Sequence, residues 1–546
     1  MTIHCMEDLS NELFFDIFDY LDGCDVINAF FYLNVRFRHL ILTLPLLFKI
    51  KLCPEEKSNV NGTRKQVIVP YKHRILSLYL ADSLIINRFF TIYPISSAFE
   101  RLESLNLQLI RKDQLVLLET LSILTRLFRL IIHFTDDTMD LSDIYGFIGN
   151  LPVLEYNKIS ILFAKFVSFS SNIIKKQSTS IKQLVIDYNC TTEDLSHTLA
   201  HTPQLHRLYL KKTLNSSQHI VSSPTLSNLT HLHINKCDMH FDQFKLLIEE
   251  ISSQLQVLKL FTLDHSSYLD ANHWEQIISH HMTKLQKFYF QHRESSDNNH
   301  QPKPHHQLIN QFTSSFWTDR QWIFDITINN LDFIYSIQPY RKQWFESDQF
   351  NNQTEIQRTE INSSIQFDKN VQLTITHRFT HACLRLLTNK INSISTIVKI
   401  TCLDIDCSKI IRSTLISLID LLPHLNSLKI SYLPSPERQS IVIMQENKKI
   451  IKVNLEQMFD IEQIQFLIQL CSCIQYLIIN CTSDTDLISY IRSILKSFKY
   501  LLQLTLKMPS VSNTIVARIQ TLINNEYPHQ YSTECQNNQM ILRRNR

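Results

Sequence analysis

The side chains most able to do chemistry in this chain are histidines and cysteines. His197, His201 and His206 lie in SHTLAHTPQLH. The first two share a helix face at i, i+4, the spacing with which zinc hydrolases present two imidazoles to one metal. Such a site also needs a glutamate beside the first histidine as general base, and Thr198 stands there. With 23 histidines in the chain, such pairs arise by chance, so surface or partly buried histidines are the stronger reading. The histidines of RESSDNNHQPKPHH, Arg293 to His306, lack ordered spacing on a rigid element. The 12 cysteines are scattered and form no CxxC. Cys402 with Cys407 and Cys471 with Cys473 lack metal-site spacing, which leaves buried reduced thiols.

HExxH, GxSxG and paired-carboxylate motifs are absent from the sequence. Only four glycines occur, Gly23, Gly62, Gly146 and Gly149. Neither GxGxxG nor GxxxxGK can be built from them, which excludes the two commonest phosphate-cradling loops. The expectation is a chain that is not an enzyme, with no catalytic residues, no metal and no cofactor.

Apolar residues make up 44% and charged residues 19%, enough hydrophobicity for a folded chain with a large core. The net charge of +3 comes from 54 basic and 51 acidic residues without long runs of either sign, so neither nucleic acid nor an anionic membrane is expected as a partner. The opening MTIHCMEDLSNEL lacks the basic end and apolar stretch of a secretory signal, and no later stretch is long and apolar enough to cross a membrane. The expected location is intracellular, cytoplasmic or nuclear.

The elements that position these side chains follow one repeated pattern: apolar, two variable positions, apolar, variable, apolar. It reads LESLNL from Leu102, LFRLII from Leu127, a weaker LEYNKI from Leu154, IKQLVI from Ile181, LHRLYL from Leu205, LTHLHI from Leu229, LQVLKL from Leu255 and LQKFYF from Leu285. The steps are 25, 27, 27, 24, 24, 26 and 30 residues. A period in the twenties is the length of a leucine-rich repeat. Each L-x-L core is a short strand whose alternate side chains point inward, and each needs a return segment to cover that core. Phe241 to Ile251, with Phe241, Phe244, Leu247, Ile248 and Ile251 at helical spacing and Asp242 at its start, is such a helix.

LTHLHINKCDM, Leu229 to Met239, resembles the ribonuclease-inhibitor-like leucine-rich repeat, with Cys237 at that family's turn position. Leu263 and His133 occupy this position in other copies, so the likeness implies a degenerate solenoid. The pattern returns as ITCLDI from Ile400, LNSLKI from Leu425, IQYLII from Ile474 and LLQLTL from Leu501, with NVQLTI from Asn370 a further candidate. The step of 49 from Leu425 to Ile474 leaves room for one more repeat, with a charged insertion over Glu437 to Lys452.

Between the two runs, Phe316 to Phe345 holds Trp317, Trp322 and Trp344. Trp322, Phe324, Ile326 and Ile328 alternate with Ile323, Asp325, Thr327 and Asn329. Phe333, Tyr335 and Ile337 form a second alternating run after an Asn-Asn-Leu-Asp turn, which predicts a β-hairpin. Either the hairpin buries its aromatics against the solenoid, or Trp317, Arg320, Trp322, Tyr335, Tyr340 and Arg341 form a substrate-recognition surface. Glu346 to Asp368 is read as a polar, flexible stretch.

At the start, Ser10 can cap a helix carrying Leu13, Ile17 and Leu21; Asp22-Gly23 breaks it; Asp25 can cap a second; and a third runs from Val35 to Leu44. Three short helices offer more apolar surface than they can bury among themselves. The segment resembles an F-box. It supplies Leu9, Glu12 and Leu13, then Ile17, Phe18 and Leu21, then Asp22, Asp25 and Val26, then Leu33, Asn34, Phe37 and Leu40, and finally Leu47 with Phe48. It departs at Ser10, where the family has proline, and at Asn34 and Phe37, where it has Cys and Trp.

The resemblance implies the substrate-recognition adaptor of an SCF-type cullin-RING ubiquitin ligase. Leu9, Glu12, Leu13, Ile17, Phe18, Leu21, Val26 and Phe37 would serve docking on a Skp-family adaptor, and the solenoid would hold an unknown protein substrate. The alternative is a leucine-rich-repeat binding scaffold whose F-box-like helices only cap the first repeat. The expected architecture is α/β: an F-box-like helical domain over 3–50, a curved leucine-rich-repeat-like solenoid over 72–292 and 370–530, an insertion over 293–369 with the aromatic hairpin, and a tail over 531–546.

Overall fold

The computed structural model describes residues 6–43, 46–53, 68–136, 138–162, 166–168, 179–214, 226–251, 253–294, 310–329, 332–340, 371–376, 387–388, 391–392, 395, 398–406, 410–433, 449–458, 461–481, 487–508, 513–536 and 539–545. The protein is α/β and divides into two compact units. One comprises Met1–His265 with Gln276–Gln286, the other Ser266–Glu275 with Lys287–Arg546.

The first unit opens with three helices, α1 (Asn11–Tyr20), α2 (Gly23–Phe30) and α3 (Val35–Thr43). The Ser10 hydroxyl accepts from the Leu13 amide at 3.5 Å and so caps α1. Asp22, not Asp25, caps α2, its Oδ1 accepting from the Cys24 amide at 2.8 Å. Gly23 is thus the first residue of the second helix, because the short acidic side chain just before it supplies the missing acceptor. The helices close on Phe14, Phe18, Phe30 and Phe37, with ring centroids 4.7 Å apart for Phe14–Phe37 and 5.0 Å for Phe18–Phe30, both edge to face. Each buried ring contributes about 2–3 kcal/mol, enough to hold elements too short to be stable alone.

Beyond them run the strands β1 (Phe48–Leu52), β2 (Ile75–Leu80), β3 (Ser104–Ile110), β4 (Arg129–Phe134), β5 (Thr138–Asp140), β6 (Tyr156–Ile161), β7 (Phe166–Ser168), β8 (Gln183–Cys190), β9 (Arg207–Thr213), β10 (His231–Cys237) and β11 (Val257–Leu263). Except for β5 and β7, which pair with each other, all are parallel and hydrogen-bonded in chain order. Parallel neighbours need a crossover, and helices such as Ser83–Ile92, Thr192–Ala200 and Phe241–Ile251 supply it. The last has the expected bounds and buries the five expected residues.

The register stacks the inward residues in rows, one of them Leu105, Leu130, Asn157, Leu184, Leu208, Leu232 and Leu258. Asn157 is the polar member of that row and fully buried, its Nδ2 donating to the Leu130 carbonyl at 3.4 Å. This explains why the copy from Leu154 is weak in sequence. Strands β1 and β2 were not anticipated, although Ile75-x-x-Leu78-x-Leu80 has the repeat spacing.

The second unit contains β12 (Lys287–Glu294), β13 (Trp322–Asn329), β14 (Asp332–Pro339), β15 (Val371–Thr376), β16 (Ile400–Asp406), β17 (Ser427–Ile430), β18 (Lys452–Met458), β19 (Tyr476–Cys481), β20 (Gln503–Lys507), β21 (Tyr531–Gln536) and β22 (Gln539–Arg544). The expected hairpin is β13–β14, and it is built into the ladder: β14 is antiparallel to both β12 and β13, and β13 is parallel to β15. From β15 to β20 the strands are parallel in chain order. β18 is the extra repeat inferred between Leu425 and Ile474.

The expected tail is instead a hairpin. β22 pairs antiparallel with both β20 and β21, and Arg543 makes a 3.1 Å ion pair with Glu534. Alternation in Tyr531, Thr533, Met540 and Leu542 was outweighed in the sequence reading by the terminal arginines. The stretch 346–368, most of the insertion near 437 and Arg546 lie outside the described residues.

Candidate functional site

The histidine pair does not form a metal centre. His197, on the helix Thr192–Ala200, lies 3.9 Å from Glu193, whereas His201 is the buried C-cap of that helix and its carbonyl accepts from the Thr179 hydroxyl at 2.8 Å. Among the described residues no group of three His, Cys, Asp or Glu side chains could hold a metal ion. Among them, too, no helix is long and apolar enough to cross a membrane. The thiols of Cys190, Cys402 and Cys471 are buried, and burial pushes all three upward from the usual range, which keeps them protonated and unreactive.

The residues expected on a recognition hairpin separate into two groups. Trp317, Trp322 and Tyr335 are buried core residues and do not line a surface. Trp317 packs against Phe312 and Trp322, and Trp322 against Phe288. The cause is the alternation itself: one face of each hairpin strand is wholly apolar, and that face turns inward. Arg320 stays exposed, its guanidinium 3.8 Å from the Phe316 ring centroid and its Nη1 donating to the Phe316 carbonyl at 3.1 Å. Tyr340 is partly exposed and its amide donates to the Gln321 carbonyl at 2.7 Å; Arg341 lies outside the described residues.

The helical module also sorts its residues. Phe18, Val26 and Phe37, expected at an adaptor interface, are buried in the module's own core, where they set its shape without being able to touch a partner. Leu13 is 48% exposed, and with the partly exposed Ile17 and the exposed Tyr20 it forms an i, i+4, i+7 stripe along α1. Leu9 and Leu21 are partly exposed and Glu12 is exposed. A hydrogen bond with Ser10 is the chief cause that holds the Glu12 carboxyl below the usual range. Tyr32, Leu33 and Val35, around the α2–α3 corner, are exposed as well, Val35 at 80%. The sequence reading had singled out none of these three as surface, although their crowding at a helix boundary was visible.

The approach to α1 is fixed from α3. Arg36 donates from Nη1 to the Glu7 carbonyl at 2.5 Å, from Nη2 to the Leu9 carbonyl at 2.6 Å and from Nε to Asn11 Oδ1 at 3.0 Å. Asn34 Nδ2 donates to Glu7 Oε1 at 2.9 Å while its Oδ1 accepts from the Phe37 amide at 3.0 Å, capping α3. Ser10 itself has φ −68° and ψ 161°. That φ is the angle a proline ring imposes, so the turn the F-box pattern builds with proline is made here by a hydroxyl cap and an arginine clamp.

On its other side the module grips the first strand. Lys51 donates its amide to Asp22 Oδ2 at 2.5 Å, and Lys49 Nζ lies 3.3 Å from Asp19 Oδ1. The buried Arg74 donates to the carbonyls of Ile41 and Leu46, both at 2.8 Å. No protein-family model matches the chain, and comparison with curated proteins likewise gives no match.

Proposed function

We propose that this chain is a substrate-recognition adaptor of an SCF-type cullin-RING ubiquitin ligase, with an F-box at its helices and a leucine-rich-repeat solenoid in its ladder of parallel strands. The observation that carries this reading is the exposed stripe Leu13, Ile17 and Tyr20 on a module whose aromatic core is already closed. Apolar side chains left out of a satisfied core favour a protein partner, and a Skp-family adaptor is the partner the F-box pattern implies. Ubiquitin transfer would take place on other subunits, so the reading requires no catalytic residue here. The expected intracellular location belongs to the same proposal.

A second reading, in which the helices merely cap the first repeat, draws on the bonds from Asp22, Asp19, Ile41 and Leu46 to β1 and Arg74. Those bonds use the side of the module away from Leu13, so capping alone leaves the stripe unexplained. Co-purification with a Skp-type adaptor decides between the two. Leu13→Asp with Ile17→Asp is expected to abolish it while the far-ultraviolet circular dichroism spectrum stays unchanged. Undiminished co-purification by that variant, or none by the native chain, would leave the scaffold reading.

A further inference from the structure

One face of the parallel ladder in the first unit points away from the buried rows of leucine and isoleucine. The register places Ile131, Lys158, Val185, Tyr209, His233 and Lys259 in one line across six consecutive strands of the ladder. A second line, two residues earlier on each strand, is Arg129, Tyr156, Gln183, Arg207, His231 and Val257. A residue two positions on from Lys158 or Tyr209 lies on the same face, which adds Ser160 and Lys211.

The charge on this face is one-sided. Arg129, Lys158, Arg207, Lys211 and Lys259 oppose a single carboxylate, Asp187, although the whole chain carries only +3. Asp187 is itself clamped: Lys158 Nζ lies 3.3 Å from its Oδ2, Lys211 Nζ 3.0 Å from its Oδ1, and Ser160 Oγ donates to Oδ2 at 2.9 Å. Two ammonium groups on one carboxylate leave a net positive site. Burial works to raise the Asp187 carboxyl, but the bonds from Lys211, Ser160 and Lys158 outweigh it and hold it below the usual range.

Rings lie among these cations. The Arg129 guanidinium is 4.3 Å from the centroid of Tyr156, and Tyr209 meets His233 edge to face at 4.6 Å. Flat rings beside Arg and Lys are the composition of a protein-binding surface, and they give an incoming chain apolar contact as well as charge. Lys158 and Lys259 are four strands apart, roughly 19 Å, which an extended chain of about six residues spans. A nucleic-acid footprint calls for several unopposed phosphate contacts along a basic tract, whereas here two of the five cations already hold Asp187.

We infer that this face binds an extended acidic segment of a protein, lying across strands β4 to β11 with its carboxylates set against Arg129, Lys158, Arg207, Lys211 and Lys259. That such a segment belongs to a ubiquitination substrate rests on the function proposed above. The binding itself does not, and it is measured on the full chain with no ligase subunit present.

Fluorescence anisotropy of three labelled probes tests it: a Glu- and Asp-rich peptide of roughly ten residues, its Gln and Asn counterpart, and an oligouridine of similar length. The acidic peptide should bind about tenfold or more tighter than the amide peptide, and its affinity should fall steeply as salt rises from about 0.05 to 0.3 M. Arg207→Glu and Lys259→Glu, at exposed positions, should each weaken it about fivefold or more with the circular dichroism spectrum unchanged. Equal binding of the two peptides, binding unaffected by both variants, or no binding of the acidic peptide would overturn the inference. Tighter binding of oligouridine than of the acidic peptide would replace it with a nucleic-acid surface.

Discussion

Gly23 and Phe48 approach so closely that a Cβ placed on Gly23 would stand 2.8 Å from the Cβ of Phe48 and 2.9 Å from its Cδ1. Here the second helix rests on the first strand of the ladder, and only a hydrogen fits between them. Gly23→Ala is therefore expected to push α2 off β1 and to cost about 1–3 kcal/mol. The Lys51 amide, bonded to Asp22 in the same contact, reports it directly: its hydrogen exchange should accelerate in the variant. Unchanged exchange at Lys51 would mean that the contact yields without cost.

Ser10→Pro should be close to neutral. The native φ of −68° already suits a proline ring, so the gain from a stiffer unfolded chain, about 0.5–1 kcal/mol, offsets the lost cap. That cap is a long bond of 3.5 Å. A thermal melt within a few degrees of native is the expected outcome, and a collapse of stability would show that the hydroxyl matters more than its geometry suggests.

In the second unit Trp274 and Trp317 are both fully buried but differ at the indole nitrogen. Trp274 Nε1 donates to the Tyr268 carbonyl at 2.8 Å, whereas Trp317 Nε1 has no hydrogen-bond partner among the described residues. Trp274→Phe should cost about 1–2 kcal/mol more than Trp317→Phe, because only the former orphans a buried carbonyl. Urea midpoints followed by the fluorescence of the remaining tryptophans compare the two, and equal shifts would refute the difference.

Asp325 sits in the hairpin with burial pushing its carboxyl up to about 6, opposed by the bond from Gln338 Nε2 to its Oδ2 at 3.1 Å. Below the ordinary carboxylate range both folded and unfolded states hold the proton, and Asp325 contributes nothing. As pH rises toward about 6 the unfolded chain ionises first, so stability falls, and above that value the loss is constant. Asp325→Asn should consequently stabilise the second unit at pH 7 by up to about 3 kcal/mol, with the advantage shrinking toward pH 4. A gain independent of pH would assign the effect to packing.

Much of this architecture can be read from residue spacing. The ladder follows from L-x-L cores at 24 to 30 residues, because a buried parallel strand needs apolar side chains at alternate positions and a crossover of fixed reach. The same rule makes Ile75-x-x-Leu78-x-Leu80 recognisable, 27 residues before Leu102. Phe48–Leu52 is harder to see, since FKIKL lacks the lead-in leucine and is fixed by Gly23 and Asp22 from a distant element. The hairpin was legible from its period of two, and so was the burial of Trp322 and Tyr335, because the opposite faces carry the polar residues. The basic face of the first unit was not, for its cations are spread over separate repeats of a nearly neutral chain and converge only once the register is set.

Inside the second unit the hairpin also bears on the order of assembly. Asn329 and Asp332 pair across three positions, whereas Leu373 and Leu403, partners in the parallel ladder, are thirty apart. Closing the short loop costs little chain entropy and takes on the order of microseconds, far sooner than strands a full repeat apart can find each other. The β13–β14 pair is thus the natural seed of this unit: once formed it offers one free edge to β12 and the other to β15, from which the slower parallel pairings can grow in both directions.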